Sequence, residues 1–142
     1  MRNAPLFKQG EIIAYSYLWR WQAEKGETEG RKDRPVCVAL PLRKNGVTHL
    51  FLLAITGTRP RVDQKCLVIP EIEARRAGLR DWKEGWVILS ECNYDVAEQS
   101  FYIDPARAPY GRFSEAFTAR IKAELRGLIA AGGFARVDRT LE

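Results

Sequence analysis

The sequence predicts a mainly β protein, a small and strongly bent sheet or partial barrel with helices attached and a helix near the end. Three observations predict it. Short β-branched and aromatic runs such as "EIIAYSYLW" and "PVCVALPLR" recur between glycine-rich and charged breaks. Asn45-Gly46 separates two such runs, and Asn-Gly tolerates the positive φ of a tight hairpin. A single long segment, 114–131, places apolar residues at helical spacing over several turns.

In chain order, residues 11–19 read as the first strand, entered from Gly10. Residues 20–33, "RWQAEKGETEGRKD", hold two glycines and many charges. They read as a long mobile loop, the kind of segment that carries function in a compact domain. Residues 35–43 and 47–56 form the arms of the hairpin. Pro41 cannot donate to a ladder, so the first arm is an edge there or is bulged. "CLVI" at 66–69 is a short strand, and 70–79 a short helix opened by Pro70. Residues 85–92 give another strand and 99–103 one more. In the last helix Phe113, Phe117, Ile121, Leu125 and Leu128 share a face. Ser114 is its N-cap, and Gly132-Gly133 ends it.

A chain of 142 residues reads as one domain spanning 1–142, and 46% hydrophobic residues exclude disorder. Lys and Arg number 23 against 18 acids, a net charge of +5 that suits a nucleic-acid partner without requiring one. Cys37, Cys66 and Cys92 are odd in number, lie in apolar runs and form no CxxC. They read as reduced, buried thiols, neither disulfide nor zinc ligands. No apolar run has membrane-spanning length and the start lacks a signal-peptide core, so a cytoplasmic protein with no membrane partner is expected. With one histidine, no cysteine cluster and no dense carboxylate group, neither metal nor cofactor is expected. His49 lies mid-strand, far from the open end of the hairpin, and a lone histidine cannot run a two-histidine ribonuclease mechanism.

The hairpin gives the charged residues a geometry. Counting back from a two-residue turn pairs Arg34 with Gly57, and a three-residue turn including Lys44 pairs it with Thr56. Either way a guanidinium and a hydroxyl meet at the open end, with Glu29 on the adjoining loop. Arg supplies a permanent charge and a planar fork, Thr a donor and acceptor, Glu a proton acceptor. That set suits attack of a ribose 2′-OH on its own phosphodiester. Arg31, Lys32, Arg59, Arg61 and Lys65 lie on the two loops at that end and would track an RNA backbone, with Trp21 stacking on bases. Trp19 is expected to pack, and Trp82 and Trp86 to join the core or a dimer face. Taken singly, Arg34, Thr56 and Glu29 each fit an ordinary solvated loop or strand end better than a catalytic role, and each basic loop residue fits a solvated loop about as well as an RNA contact.

The motifs in order resemble the PemK/MazF family of toxins from bacterial toxin–antitoxin pairs. The resemblance rests on "GEII" (10–13), "GETE" (26–29), "RPVCVAL" (34–40), "AIT" (54–56), "CLVIPE" (66–71) and "WVILSECNYDV" (86–96). It implies an SH3-like barrel, a homodimer, a cognate antitoxin protein as partner and metal-independent cleavage of single-stranded RNA. The family's catalytic Arg falls on Arg34 and its Thr/Ser on Thr56. Its acid falls on Glu29 by distance to the Arg, or on Glu27 by distance to the Gly. Glu11 stands in place of the usual Asp, the Ser of Gly-Ser-Glu is absent, the loop after the first strand is longer, and 98–112 has no counterpart. The alternatives are a non-catalytic module of the same barrel that grips RNA or protein, and a same-fold toxin that inhibits DNA gyrase.

Overall fold

The computed structural model describes residues 6–79 and 84–140. The expectation for Trp82 lies outside them. Eight strands form one curled half-barrel sheet. They are β1 (Glu11–Tyr15), β2 (Arg34–Lys44), β3 (Val47–Thr56), β4 (Cys66–Val68), β5 (Trp86–Ile88), β6 (Glu91–Val96), β7 (Gly111–Arg112) and β8 (Ala135–Asp138). The sheet runs β4-β5-β3-β2-β1-β7, with β6 also on β3 and β8 on β6. All pairs are antiparallel except β6 with β8. Strand β3 pairs β6 along His49–Leu52 and β5 at Ile55 and Thr56. One strand therefore serves two different neighbours on the same edge, and the sheet must curl between them.

Alternation along the strands builds two cores. Ile12, Cys37, Leu53 and Ile55 face one side. Phe113, Phe117 and Ile121 close over that side at the start of the long helix α3 (Glu115–Ala130). Ile13, Tyr15, Val36, Val38, Leu52 and Ala54 face the other. Ser114 caps α3 as expected, its Oγ accepting from the Phe117 amide at 3.1 Å. Glu73, on the short helix α2 (Glu71–Arg76), accepts in turn from the Ser114 amide at 2.9 Å and its hydroxyl at 2.7 Å.

The hairpin turn has two residues, with Lys44 opposite Val47, Asn45 at φ 55° and Gly46 at φ 80°. A bulge between Val38 and Leu40 then shifts the register by one. It lies beside Pro41, beyond the stretch of β2 that β1 covers, so Pro41 is both on an edge and next to a bulge.

Five expectations need correction. The first strand stops at Tyr15, where the Tyr17 amide turns back onto the Tyr15 carbonyl at 3.0 Å. The segment 20–33 is not all loop, because Arg20–Glu24 form a helical turn (α1). Gln22 there is buried and takes the Trp19 amide at 2.9 Å. The strand placed at 85–92 is two strands, broken at Leu89-Ser90 where the chain steps from one end of β3 to the other. Residues 99–103 form no strand: a 3₁₀ turn ends at Gln99 and Phe101 is exposed. The helix placed at 70–79 is shorter, with Pro70 just before it and Gly78 at φ 78° past its end. Strand β8 was not anticipated, since "ARVD" is short and polar.

Cys37 and Cys92 are buried and Cys66 is partly so, all three as free thiols. Burial pushes the Cys37 and Cys92 thiols up to about 12, which leaves them unreactive. Trp86 is buried. Among the described residues no helix is long and apolar enough to cross a membrane.

Candidate functional site

Between β1 and α1 the chain leaves the sheet, and side chains from β6 hold it in place. Asn93 accepts from the Leu18 amide at 2.9 Å and donates to the Leu18 carbonyl at 2.8 Å. Arg139, 6% exposed, donates to Asn93 Oδ1 at 2.9 Å and to the Ser16 carbonyl at 2.6 Å. Its guanidinium carbon lies 4.1 Å from the centre of the Tyr102 ring. Glu91 Oε2 accepts from the Tyr17 hydroxyl at 3.1 Å and the Arg20 amide at 2.9 Å. A polar segment with little core of its own is thereby fixed, and it carries Tyr17, Trp19 and Trp21 toward the start of β2.

Arg34 is the first residue of β2, opposite Tyr15 of β1. Its guanidinium sits 5.2 Å from the centre of the Trp19 ring, which packs edge-on to Tyr17 at 5.0 Å. Trp19 thus packs as expected and also seats the arginine. The side chain is half-buried and its Nε has no hydrogen-bond partner. Burial lowers the guanidinium pKa, and nearby Tyr17 opposes this. Among the described residues no carboxylate pairs with it.

A cavity of about 320 Å³ opens over Arg34, walled by Tyr17, Trp19, Trp21, Arg31 and Lys32. Arg31 stacks over Trp21 at 5.0 Å and pairs with Glu27 at 3.0 Å, which raises its pKa. Lys25 approaches the same ring at 5.3 Å. Four of the nine residues expected at the site therefore converge: Arg34, Arg31, Lys32 and Trp21.

The others stand differently. Carrying the bulged register two residues beyond Val36 and Ala54 puts Thr56 across from Arg34. Its hydroxyl is turned into a local loop, accepting from the Thr58 amide at 3.0 Å and donating to the Thr58 carbonyl at 3.2 Å. Thr56 does not wall the cavity. Glu29 is exposed and away from it, whereas Glu27 reaches the basic cluster through Arg31. Arg61 walls a second cavity of about 460 Å³ that shares Trp21 with the first. Arg59 and Lys65 are exposed on the same loop and wall neither. His49 is half-buried against the Tyr94 hydroxyl at 2.6 Å, near the turn end of β3. Among the described residues no three His, Cys, Asp or Glu side chains are grouped to hold a metal ion.

Sequence reasoning passed over Glu91. It is 6% exposed, walls the second cavity, and burial raises its carboxyl pKa against the opposing hydrogen bonds from Arg20 and Tyr17. An acid within the apolar run "WVILSEC" was the available signal, because a buried carboxylate needs partners and so marks a built site.

The arrangement offers a cation seated on an aromatic ring, two further cations and the half-buried indole of Trp21. It can hold a phosphate and stack a base. No protein-family model, curated protein or solved structure matches this chain.

Proposed function

We propose that the chain is a metal-independent endoribonuclease for single-stranded RNA, of the PemK/MazF toxin type, with the curled half-barrel as its SH3-like barrel. The observation that carries the proposal is Arg34: half-buried on Trp19, with no acidic partner among the described residues, in a cavity walled by Trp21, Arg31 and Lys32. Structural Arg139, buried more deeply, donates to the Ser16 carbonyl and to Asn93, whereas Arg34 Nε has no acceptor among the described residues. A phosphate supplies the missing counter-charge.

In the reaction the 2′-oxygen attacks the adjacent phosphorus and the bond to the 5′-oxygen breaks. The products are a 2′,3′-cyclic phosphate and a 5′-hydroxyl. Arg34 neutralises the phosphorane and gives a proton to the departing oxygen. Thr56, across the hairpin, exchanges its turn partner for a phosphate oxygen. A glutamate of the loop, Glu29 or Glu27, takes the 2′-proton. Arg31, Lys32 and Arg61 hold the flanking backbone, and Arg59 and Lys65 extend the positive field. A homodimer in the cytoplasm, restrained by an antitoxin whose acidic tail fills the same cavity, completes the reading.

The test is cleavage of a mixed RNA pool in EDTA, with the new ends identified. Cyclic phosphates and 5′-hydroxyls are expected, and Arg34→Ala should cost about 10²–10³ in rate. Unchanged cleavage by that variant would refute the assignment. A second reading, a non-catalytic RNA-binding module, is favoured by the Thr56 hydroxyl being occupied and by Glu29 lying outside the cavity. Salt-dependent binding without cleavage, with protein in excess over RNA, would establish it.

A further inference from the structure

Trp21 lines both cavities. A strand held at Arg34 and stacked on Trp21 would place the neighbouring nucleotide in the larger cavity. There the other charged side chains are paired with one another. Arg20 is bound to Glu24 at 3.2 Å, and Arg61 to Asp63 at 3.5 Å. The Gln64 oxygen takes the Arg61 amide at 3.0 Å. Glu91 is the exception. Its Oε2 is held by Tyr17 and Arg20, while Oε1 accepts no hydrogen bond from the described residues. Glu91 itself lines the larger cavity.

We infer that Glu91 reads the base of the nucleotide next to the scissile phosphate, accepting from an exocyclic amino group and rejecting uracil. The inference rests on the single-stranded RNA reading above. In unpaired RNA the Watson–Crick edge is open to side chains. Cytosine and adenine present an amino group there, and a carboxylate oxygen is a good acceptor for it. Uracil presents one N–H between two carbonyl oxygens, and both oxygens would face the carboxylate. A fixed, buried acceptor penalises the wrong base most, because its desolvation is then uncompensated. The carboxylate cannot swing away, since two hydrogen bonds fix its other oxygen.

Short fluorescent homopolymers of cytidine, adenosine and uridine test this by anisotropy at fixed salt, with the native chain, Glu91→Gln and Trp21→Ala. The native chain should bind the cytidine and adenosine strands about tenfold more tightly than the uridine strand, a difference of about 1.4 kcal/mol. Glu91→Gln keeps an acceptor for Tyr17 and Arg20, and its amide also donates to a uracil oxygen. It should bring uridine to within about twofold of cytidine. Trp21→Ala should weaken all three strands alike, because stacking tolerates any base. An unchanged preference in Glu91→Gln, with an unchanged thermal midpoint, overturns the inference and leaves the nuclease proposal standing. So does equal binding of all three strands by the native chain. Failure of every strand to bind at any salt overturns the RNA reading itself.

Discussion

At the scale of single residues, Arg34 differs in its partner from the arginines that pair with carboxylates. Arg20, Arg31, Arg43, Arg61 and Arg75 each have a carboxylate within 4.0 Å, while Arg34 has an indole. Arg34→Lys should therefore behave nearly as badly as the alanine variant in a cleavage assay, because an ammonium keeps the charge but loses the planar fork and the stacking. Glu91 makes a second residue-scale prediction. Its pKa is raised in the folded state, so the protonated form is favoured by folding. The stability this contributes is present below the ordinary carboxylate range and is lost as pH rises through the raised value. Urea unfolding of the native chain and Glu91→Gln across that window should show the native chain losing stability relative to the variant as pH rises. A constant difference would mean that Glu91 titrates normally. Arg34 was legible as a candidate because Arg-Pro abruptly ends a charged run and opens an apolar strand. Its seat on Trp19 was not, because that contact depends on a bend at Tyr17 which no local propensity encodes.

At the scale of elements, the turn and the bulge act together. The turn alone would set Arg34 opposite Gly57, and the one-residue shift after Leu40 restores Thr56. Asn-Gly announced the turn, and Pro41 announced an irregularity without saying which way it would move the register. Gly46 at φ 80° has open space where a Cβ would stand, so Gly46→Ala meets no clash and carries only the backbone penalty. A loss of about 1–2 kcal/mol is expected in urea unfolding. Ser114→Ala should cost about 1–2 kcal/mol by the same measurement, since it removes the cap of α3 and a hydroxyl partner of buried Glu73. The elements that escaped the sequence share a cause. Helix α1 and strand β8 are short and polar, and long-range partners hold them: Glu91 on the Arg20 amide, and β6 along β8.

At the scale of the whole molecule, the curl of the sheet gathers the start of β2, the end of β3 and the loops beyond them at one end. A net charge of +5 is modest, but Arg31, Lys32 and Arg61 border adjoining cavities, which concentrates it. RNA affinity should fall with salt, and Lys32→Ala should flatten the log–log slope by about 0.7, the value for one single-strand phosphate contact. An unchanged slope would remove Lys32 from the interface. The general character of this surface was legible in the sequence, because basic loops flank a hairpin. That one tryptophan lines both cavities was not, since it depends on how far apart in sequence the walls lie.

The clasp of Arg139 on Ser16 and Asn93 has a consequence for biogenesis. The group that locks Ser16 lies 123 residues further along the chain and is made that much later. At about 5–20 residues per second the unfinished polypeptide spends several seconds without it. A nascent chain stalled before Arg139 would carry Arg34, Thr56 and the basic loops and still lack the clasp that fixes the segment leading to Trp19 and Trp21.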